Sequence, residues 1–249
     1  MAKKVGFPQQ FFVHGFDLSG DVGSLSNVNS PVALLPATGI NKSAVERLQG
    51  HADGGMAFNS WFNDAAGQEH VALKGLLTTD RILLWILGGV IGDVAAALVA
   101  KQMDYSLDRG ADGALALSIA TLGASGVALE WMDMLTAGKI THASATNGAS
   151  LDNTASTANG LAAVLEVSAL ATGVMTVVVQ ESSDDGVGDP FAAKATFTAL
   201  AAAGAPGAER ITATGTVERY LRVATTGAFT NGDFAVAVRR GTAQDRVAY

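Results

Sequence analysis

The chain has 249 residues, with 49% hydrophobic and 16% charged residues, a formal net charge of −7 and no cysteine. Disulfides and thiolate metal sites are therefore excluded, and an acidic chain is poorly suited to holding nucleic acid through its phosphates. The length allows one large domain or two small ones, and the apolar content is enough for a substantial core.

The N-terminal MAKKVGFPQQ has two lysines but no apolar run behind them, so it does not read as a signal peptide. Phe11–Leu18 (FFVHGFDL) alternates and predicts a first strand, and Val22–Val28 a second. Residues Asn29–Gly54 form a long mixed connection with Pro31 and Pro36. Ser43 followed by Glu46 has the spacing of a capping box and predicts a short helix through Val45 and Leu48. A connection of this length is uncommon unless it has a task. Gly55–Phe62 predicts a strand with Met56, Phe58 and Phe62 on one face. Ala66–Leu76 predicts a helix that buries Val71, Ala72 and Leu76 and turns Glu69, His70 and Lys74 to water.

Ile82–Ala100 is the most apolar stretch and has the length of a membrane span. Asp93 lies within it, and a mid-bilayer carboxylate costs about 2.5–3.5 kcal/mol. Gly88, Gly89 and Gly92 interrupt it, and no basic cluster flanks it. These features predict two strands with a turn between them. The first strand is apolar on both faces. The second, over Leu98–Leu107, has Val99, Lys101, Met103 and Tyr105 on one face. Asp108–Gly113 reads as a hairpin loop, followed by strands over Ala114–Leu122 and Val127–Leu135. Thr136–Gly160 is small and polar and reads as a linker. Six short β runs follow from Leu161 at the spacing of a sandwich. The predicted domains are therefore 1–142 and 143–249.

No motif carries catalytic chemistry. His14, His51, His70 and His142 are scattered, and no HExxH, Walker A or GxSxG pattern occurs. Asp184–Asp189 is acidic and glycine-rich but lacks calcium-loop spacing, so it reads as a hairpin loop. Arg219 and Arg222 flank Tyr220 on opposite faces of a strand, which argues against a base-stacking platform. The sequence predicts no enzyme and no cofactor.

Several phrases in order carry a family resemblance: FDLSGDVGSLS, ERLQGHADGGMAFNSWFNDA, TTDRILLW, LVAKQMDYSLDRGADGALAL, EWMDMLTAGK and TNGASLDNTAST. In these the chain resembles the major tail tube proteins of long-tailed (siphovirus-like) bacteriophages, actinobacteriophage type, over most of its length. The resemblance implies a mainly β fold. Two packed antiparallel sheets, flanked by one helix, would contribute to an oligomeric β-barrel, and a C-terminal β-sandwich would decorate the outside. It further implies a homo-oligomeric ring, typically a hexamer, stacked into a tube within the virion and assembled in the host cytoplasm. The implied partners are the tape-measure protein and the tail terminator and tail-tip proteins, with DNA passing through unbound and no membrane insertion. On this resemblance the long connection would stack rings through Pro31, Leu34, Leu35, Pro36, Glu46 and Arg47. Asp93, Asp104, Asp108 and Asp112 are candidates for an acidic lumen. The first half of Ile82–Ala100 would be buried between sheet and helix. The alternative from a different class is a carbohydrate- or surface-binding β-sandwich module. Against it, residues 143–249 contain no Trp to build an aromatic binding row.

Overall fold

The computed structural model describes residues 8–75 and 79–243, together with Gly6 and Val247. The first alternating run is interrupted where His14 and Gly15 take φ of 51° and 87°. Two successive left-handed residues make the tight turn that suits a hairpin. The single strand expected over Phe11–Leu18 is thus a hairpin of β1 (Gln9–Val13) and β2 (Phe16–Asp17). β3 (Val22–Asn29) follows as expected. The long connection folds into a separate two-stranded arm, β4 (Val32–Pro36) and β5 (Arg47–Ala52), and β6 (Gly55–Trp61) follows.

The predicted helix shrinks to α1 (Glu69–Leu73); Ala72 packs on the core and Lys74 is exposed as expected, but Glu69 and Val71 exchange places. Glu69 and Leu73 are buried and Val71 is exposed, because so short a helix can bury only one pair four residues apart. Leu76 lies outside the described residues. β7 (Arg81–Leu87) and β8 (Val94–Arg109) replace the candidate membrane span, and no helix among the described residues is long and apolar enough to cross a bilayer. β9 (Leu115–Gly123) and β10 (Glu130–Met134) follow. The stretch expected as a linker carries β11 (Ile140–His142) and β12 (Asn147–Asp152), which pair with strands near the end of the chain. Two of the six later runs merge into one bent strand, β13 (Leu161–Ser182). β14 (Ala192–Thr196), β15 (Leu200–Ala201), β16 (Gly207–Ala213), β17 (Tyr220–Thr226) and β18 (Phe229–Arg240) complete a mainly β chain of antiparallel sheets.

A central sheet runs in the order β16, β13, β18, β10, β8, β7, β1, β2. The first half of β13 pairs with β18 and β16, and its second half with β17 and β14, forming an outer sheet in the order β12, β17, β13, β14. β8 does the same: Ala95–Ala100 pairs with β7, and Ala100–Arg109 pairs with β9 in a second outer sheet ordered β8, β9, β6, β3. Both long strands bend at a register shift, between Val167 and Ala169 and between Gln102 and Asp104. The second shift corrects the predicted face. Lys101 lies opposite Leu122 on the outside, whereas Tyr105 lies opposite Ile119 and packs into the core.

Three cores result. Phe11, Leu83, Leu98, Phe58, Leu117 and Ile119 fill the space between the central sheet and the β3–β6–β9–β8 sheet. Leu165, Val177, Val179, Leu221, Phe234 and Val236 do so in the second half. The third core lies on the other face of the central sheet and joins both halves through Phe12, Leu84, Ile86, Met132, Val164 and Ala237. The double-sided apolarity of Ile82–Leu87 is therefore explained by two sheet cores, and α1 contributes only through Leu73 and Ala72.

The central sheet curls until its ends meet. The β1–β2 turn approaches β13 and β16 so closely that a Cβ on Gly15 would lie 2.3 Å from Gly207 N. The Gly15 N–H donates to Glu166, which is fully buried. Burial pushes the Glu166 carboxyl well above its usual range. Near Ala97 and Ala162, Glu130 (3% exposed) accepts 2.6 and 2.9 Å bonds from Arg210 on β16 and a 3.2 Å bond from Arg239 on β18. That carboxylate ties an early strand to two late ones.

Candidate assembly surfaces

The β8–β9–β6–β3 sheet is covered on one side only. Its inner positions, Met56, Phe58, Ser60, Leu117, Ile119 and Thr121, are buried. The alternate positions bear Ser24 and Asn27 on β3, Ala57 and Asn59 on β6, Ser118 and Ala120 on β9, and Asp104, Ser106 and Asp108 on β8. The small and polar side chains at its centre give little apolar area to bury, so they do not drive a second layer onto this face. A side-chain ladder crosses it: Ser118 donates to Asn59 Oδ1 at 3.0 Å, and Asn59 Nδ2 reaches Ser24 Oγ at 3.4 Å. Lys101 lies at one end of the face and is tied to Asp80 at 2.5 Å. Trp61 and Leu122 border the face and are exposed.

The same sheet has two open edges. Among the described residues β3 pairs with β6 alone, and β8 beyond Ala100 pairs with β9 alone. Unpaired edge N–H and C=O groups are a template for another strand. The outer strands run in opposite directions, so β3 of one copy would lie antiparallel to β8 of the next.

The β4–β5 arm is the second surface. Leu34, Leu35, Val45 and Leu48 are 64%, 52%, 60% and 61% exposed. Pairing of Leu34 with Gln49, Leu35 with Leu48 and Pro36 with Arg47 makes a hairpin, not the helix expected from the capping box. The Glu46 N–H donates to Thr38 Oγ1 at 3.0 Å, and Glu46 O accepts from Ala37 N at 2.9 Å, so the backbone groups a helix would use are spent across the hairpin. Glu46 also pairs with Lys42 at 3.0 Å on the surface. A groove of about 550 Å³ lies at the base of the arm, between Val32 and His51 on one side and Val127 and Trp131 on the other.

All six residues expected in the stacking loop lie on or beside this one arm: Leu34, Leu35, Pro36 and Arg47 in its strands, Glu46 next to β5, and Pro31 at its base, where Pro31 O accepts from Asp53 N. The four acidic candidates separate. Asp104 and Asp108 stand on the uncovered face. Asp93 closes the β7–β8 turn, accepting from Gly89 and Val90 N–H at 2.9 and 3.1 Å, and Asp112 closes the β8–β9 turn by accepting from Ala114 N–H at 3.0 Å. The ladder residues Ser24, Asn59 and Ser118 were missed. Their signal was the alternation of small polar with apolar residues in GMAFNSW and LALSIATLG.

The other candidates are structural. The Asp184 carboxylate accepts from the N–H groups of Val187, Gly188 and Asp189, which closes its own loop and holds its carboxyl below the usual range. No group of three or more potential metal ligands occurs among the described residues. Arg219 pairs with Asp152, and Arg222 lies 4.0 Å over the Phe191 ring. His142 Nδ1 meets Thr225 Oγ1 at 2.8 Å, and burial lowers its pKa.

No family model matches the chain, and no curated protein matches it. Among solved structures it is similar to the tail of an empty GTA particle refined with C6 symmetry, at 11% identity over 45% of this chain and 81% of that one, with a TM-score of 0.36. It is also similar to the Dit protein of phage SPP1, described as a paradigm of hub adsorption apparatus in phages infecting Gram-positive hosts. There the identity is 10% over 93% and 98% of the two chains, with a TM-score of 0.34. A third likeness is to the phage p2 baseplate in its activated conformation, at 10% identity over 94% and 99%, with a TM-score of 0.35. Scores this low carry no argument, and the functional case rests on the surfaces of this chain.

Proposed function

We propose that the chain is a structural subunit of a phage tail tube. The observation that carries this reading is a sheet with one uncovered polar face and two open antiparallel edges. Pairing β3 of one subunit with β8 of the next removes both edges and, repeated around a ring, closes a barrel. The ladder of Ser24, Asn59 and Ser118, with Asp104 and Asp108, then faces the lumen. Hydroxyls, amides and carboxylates without a free cation there would let DNA slide and not bind. The arm carries its leucines to the adjacent ring, a head-to-tail contact that repeats along a tube. The tape-measure, terminator and tail-tip proteins are the partners this role implies, and the virion is its location. The 143–249 half then decorates the outside.

The native chain has no cysteine, so crosslinks can be placed cleanly. Cysteines at Ser24 or Asn27 combined with Ser106 or Asp108 should, on oxidation, give covalent oligomers that end at a closed ring, visible by non-reducing electrophoresis and negative-stain imaging. If every such pair stays monomeric and concentrated wild-type protein shows no rings, the reading is wrong.

A further inference from the structure

Glu69 is a carboxyl group with no local reason to be buried. It opens α1 and is 0% exposed. Ser60 on β6 is the side chain set against its carboxyl, and that contact lowers the Glu69 pKa less than burial raises it. The groups around it come from each neighbouring element. Asp21, just before β3, is buried and accepts from the Glu69 N–H at 3.3 Å and from Asn63 Nδ2 at 2.9 Å. From β8, Tyr105 feels the Glu69 charge, and its hydroxyl meets His70 Nδ1 at 2.5 Å. No Lys or Arg among the described residues contributes to this pocket. Two carboxyls share it, and burial together with the Asp21 charge favours the protonated form of Glu69. The proton therefore belongs on Glu69.

The pocket adjoins both edge strands, at the start of β3 and along the middle of β8. Asp21 leads into β3 and its carbonyl accepts from Trp61 N–H, while α1 is tied to β8 by a 2.9 Å bond from Gln102 Nε2 to Leu73 O. We propose that Glu69 is a protonation latch for ring assembly: neutral, it docks α1 across the start of β3 and the middle of β8; ionised, it leaves the pocket and loosens both strands. The proposal rests on the ring reading given above. Burial, with the Asp21 charge adding to it, raises the Glu69 pKa from 4.5 to about 7. For a carboxyl raised on folding, the latch is fully engaged below 4.5, is lost progressively as pH rises to about 7, and loses nothing further above that. The full span corresponds to at most about a 300-fold change in the docking equilibrium.

The test compares full-length wild type with Glu69→Gln, a neutral isostere, between pH 4.5 and 8.5, following assembly by light scattering and subunit stability by urea denaturation. Wild type should lose assembly as pH rises to about 7 while the variant does not, and the variant's stability should fall less over that range, the remainder belonging to Glu166. Rings that form with the same pH profile in both proteins overturn the latch and leave the ring reading standing. Denaturation profiles that diverge while neither protein assembles at any pH overturn the ring reading, and the coupling with it. If Glu69→Gln does not fold, Asp21→Asn serves instead. Removing the facing charge must move the midpoint of the pH profile downward, and an unmoved midpoint overturns the proposal.

Discussion

The two outer sheets hang from the same central sheet, yet they end differently. In the second half the edge strands β12 and β14 are six and five residues long. Asp152 on β12 is tied to Arg219, and Lys194 on β14 lies 3.6 Å from Glu181. Short, charge-bearing edges resist pairing with another chain. In the first half β3 is eight residues long and contains no charged residue, and the sheet behind it has an uncovered face. The second half closes its outer edges with short, charged strands, whereas the first leaves a long uncharged edge and an uncovered face.

The comparison breaks most severely where both halves depend on one group. Glu130→Ala leaves Arg210 and Arg239 at the seam without the carboxylate that holds them. It should cost about 3–5 kcal/mol by urea denaturation, with both halves unfolding in one transition. A change confined to the first half would show the seam to be dispensable. Leu84→Ala opens a void in the shared core and should cost about 3 kcal/mol. Glu166→Gln should act in the opposite direction. The buried acid binds its proton more tightly when folded, so wild-type stability is greatest below the unfolded value of 4.5 and falls as pH rises toward the raised folded value. The variant should match wild type at pH 4 and exceed it at pH 8. A gain of equal size at both pH values would show that Glu166 does not titrate on unfolding. The smallest effect on the subunit belongs to the arm. Leu34→Ser with Leu48→Ser should change subunit stability by no more than about 0.5 kcal/mol while abolishing self-association in sedimentation. Normal assembly by this variant would sharpen the comparison by leaving β3 and β8 as the only unfinished surface.

How legible each region was follows from where its partner lies. β6 and β9 were readable because each alternates within itself, apolar inward and small polar outward. β11 and β12 were not. Their residues are small and polar, and what makes them strands is pairing with β18 and β17, some seventy to ninety residues later. The capping-box pattern at Ser43 and Glu46 was a real local preference, but a lone helix there has no core to pack on, and helices that short are unstable alone. The burial of Glu69 in place of Val71 and the register shift in β8 both come from the tertiary setting, which periodicity alone does not encode. The arm coincides with the long connection that the resemblance marks as a stacking loop. Of the uncovered face, only Asp104 and Asp108 stood out in the sequence, because the acids were sought by charge and the ladder of Ser and Asn carries none.

The pairing of β10 with β18 has a kinetic consequence. β10 ends at Met134 and its partner begins at Phe229. At synthesis rates of 5–20 residues per second, about 5–20 s pass before that partner is made. Throughout this interval Ile82, Leu84, Ile86 and Met132 have no cover from Ala235 and Ala237. The nascent first half therefore waits with an apolar face open to other nascent chains. Its yield in a cell should depend on chaperone supply and on growth temperature more than the stability of the finished subunit would suggest.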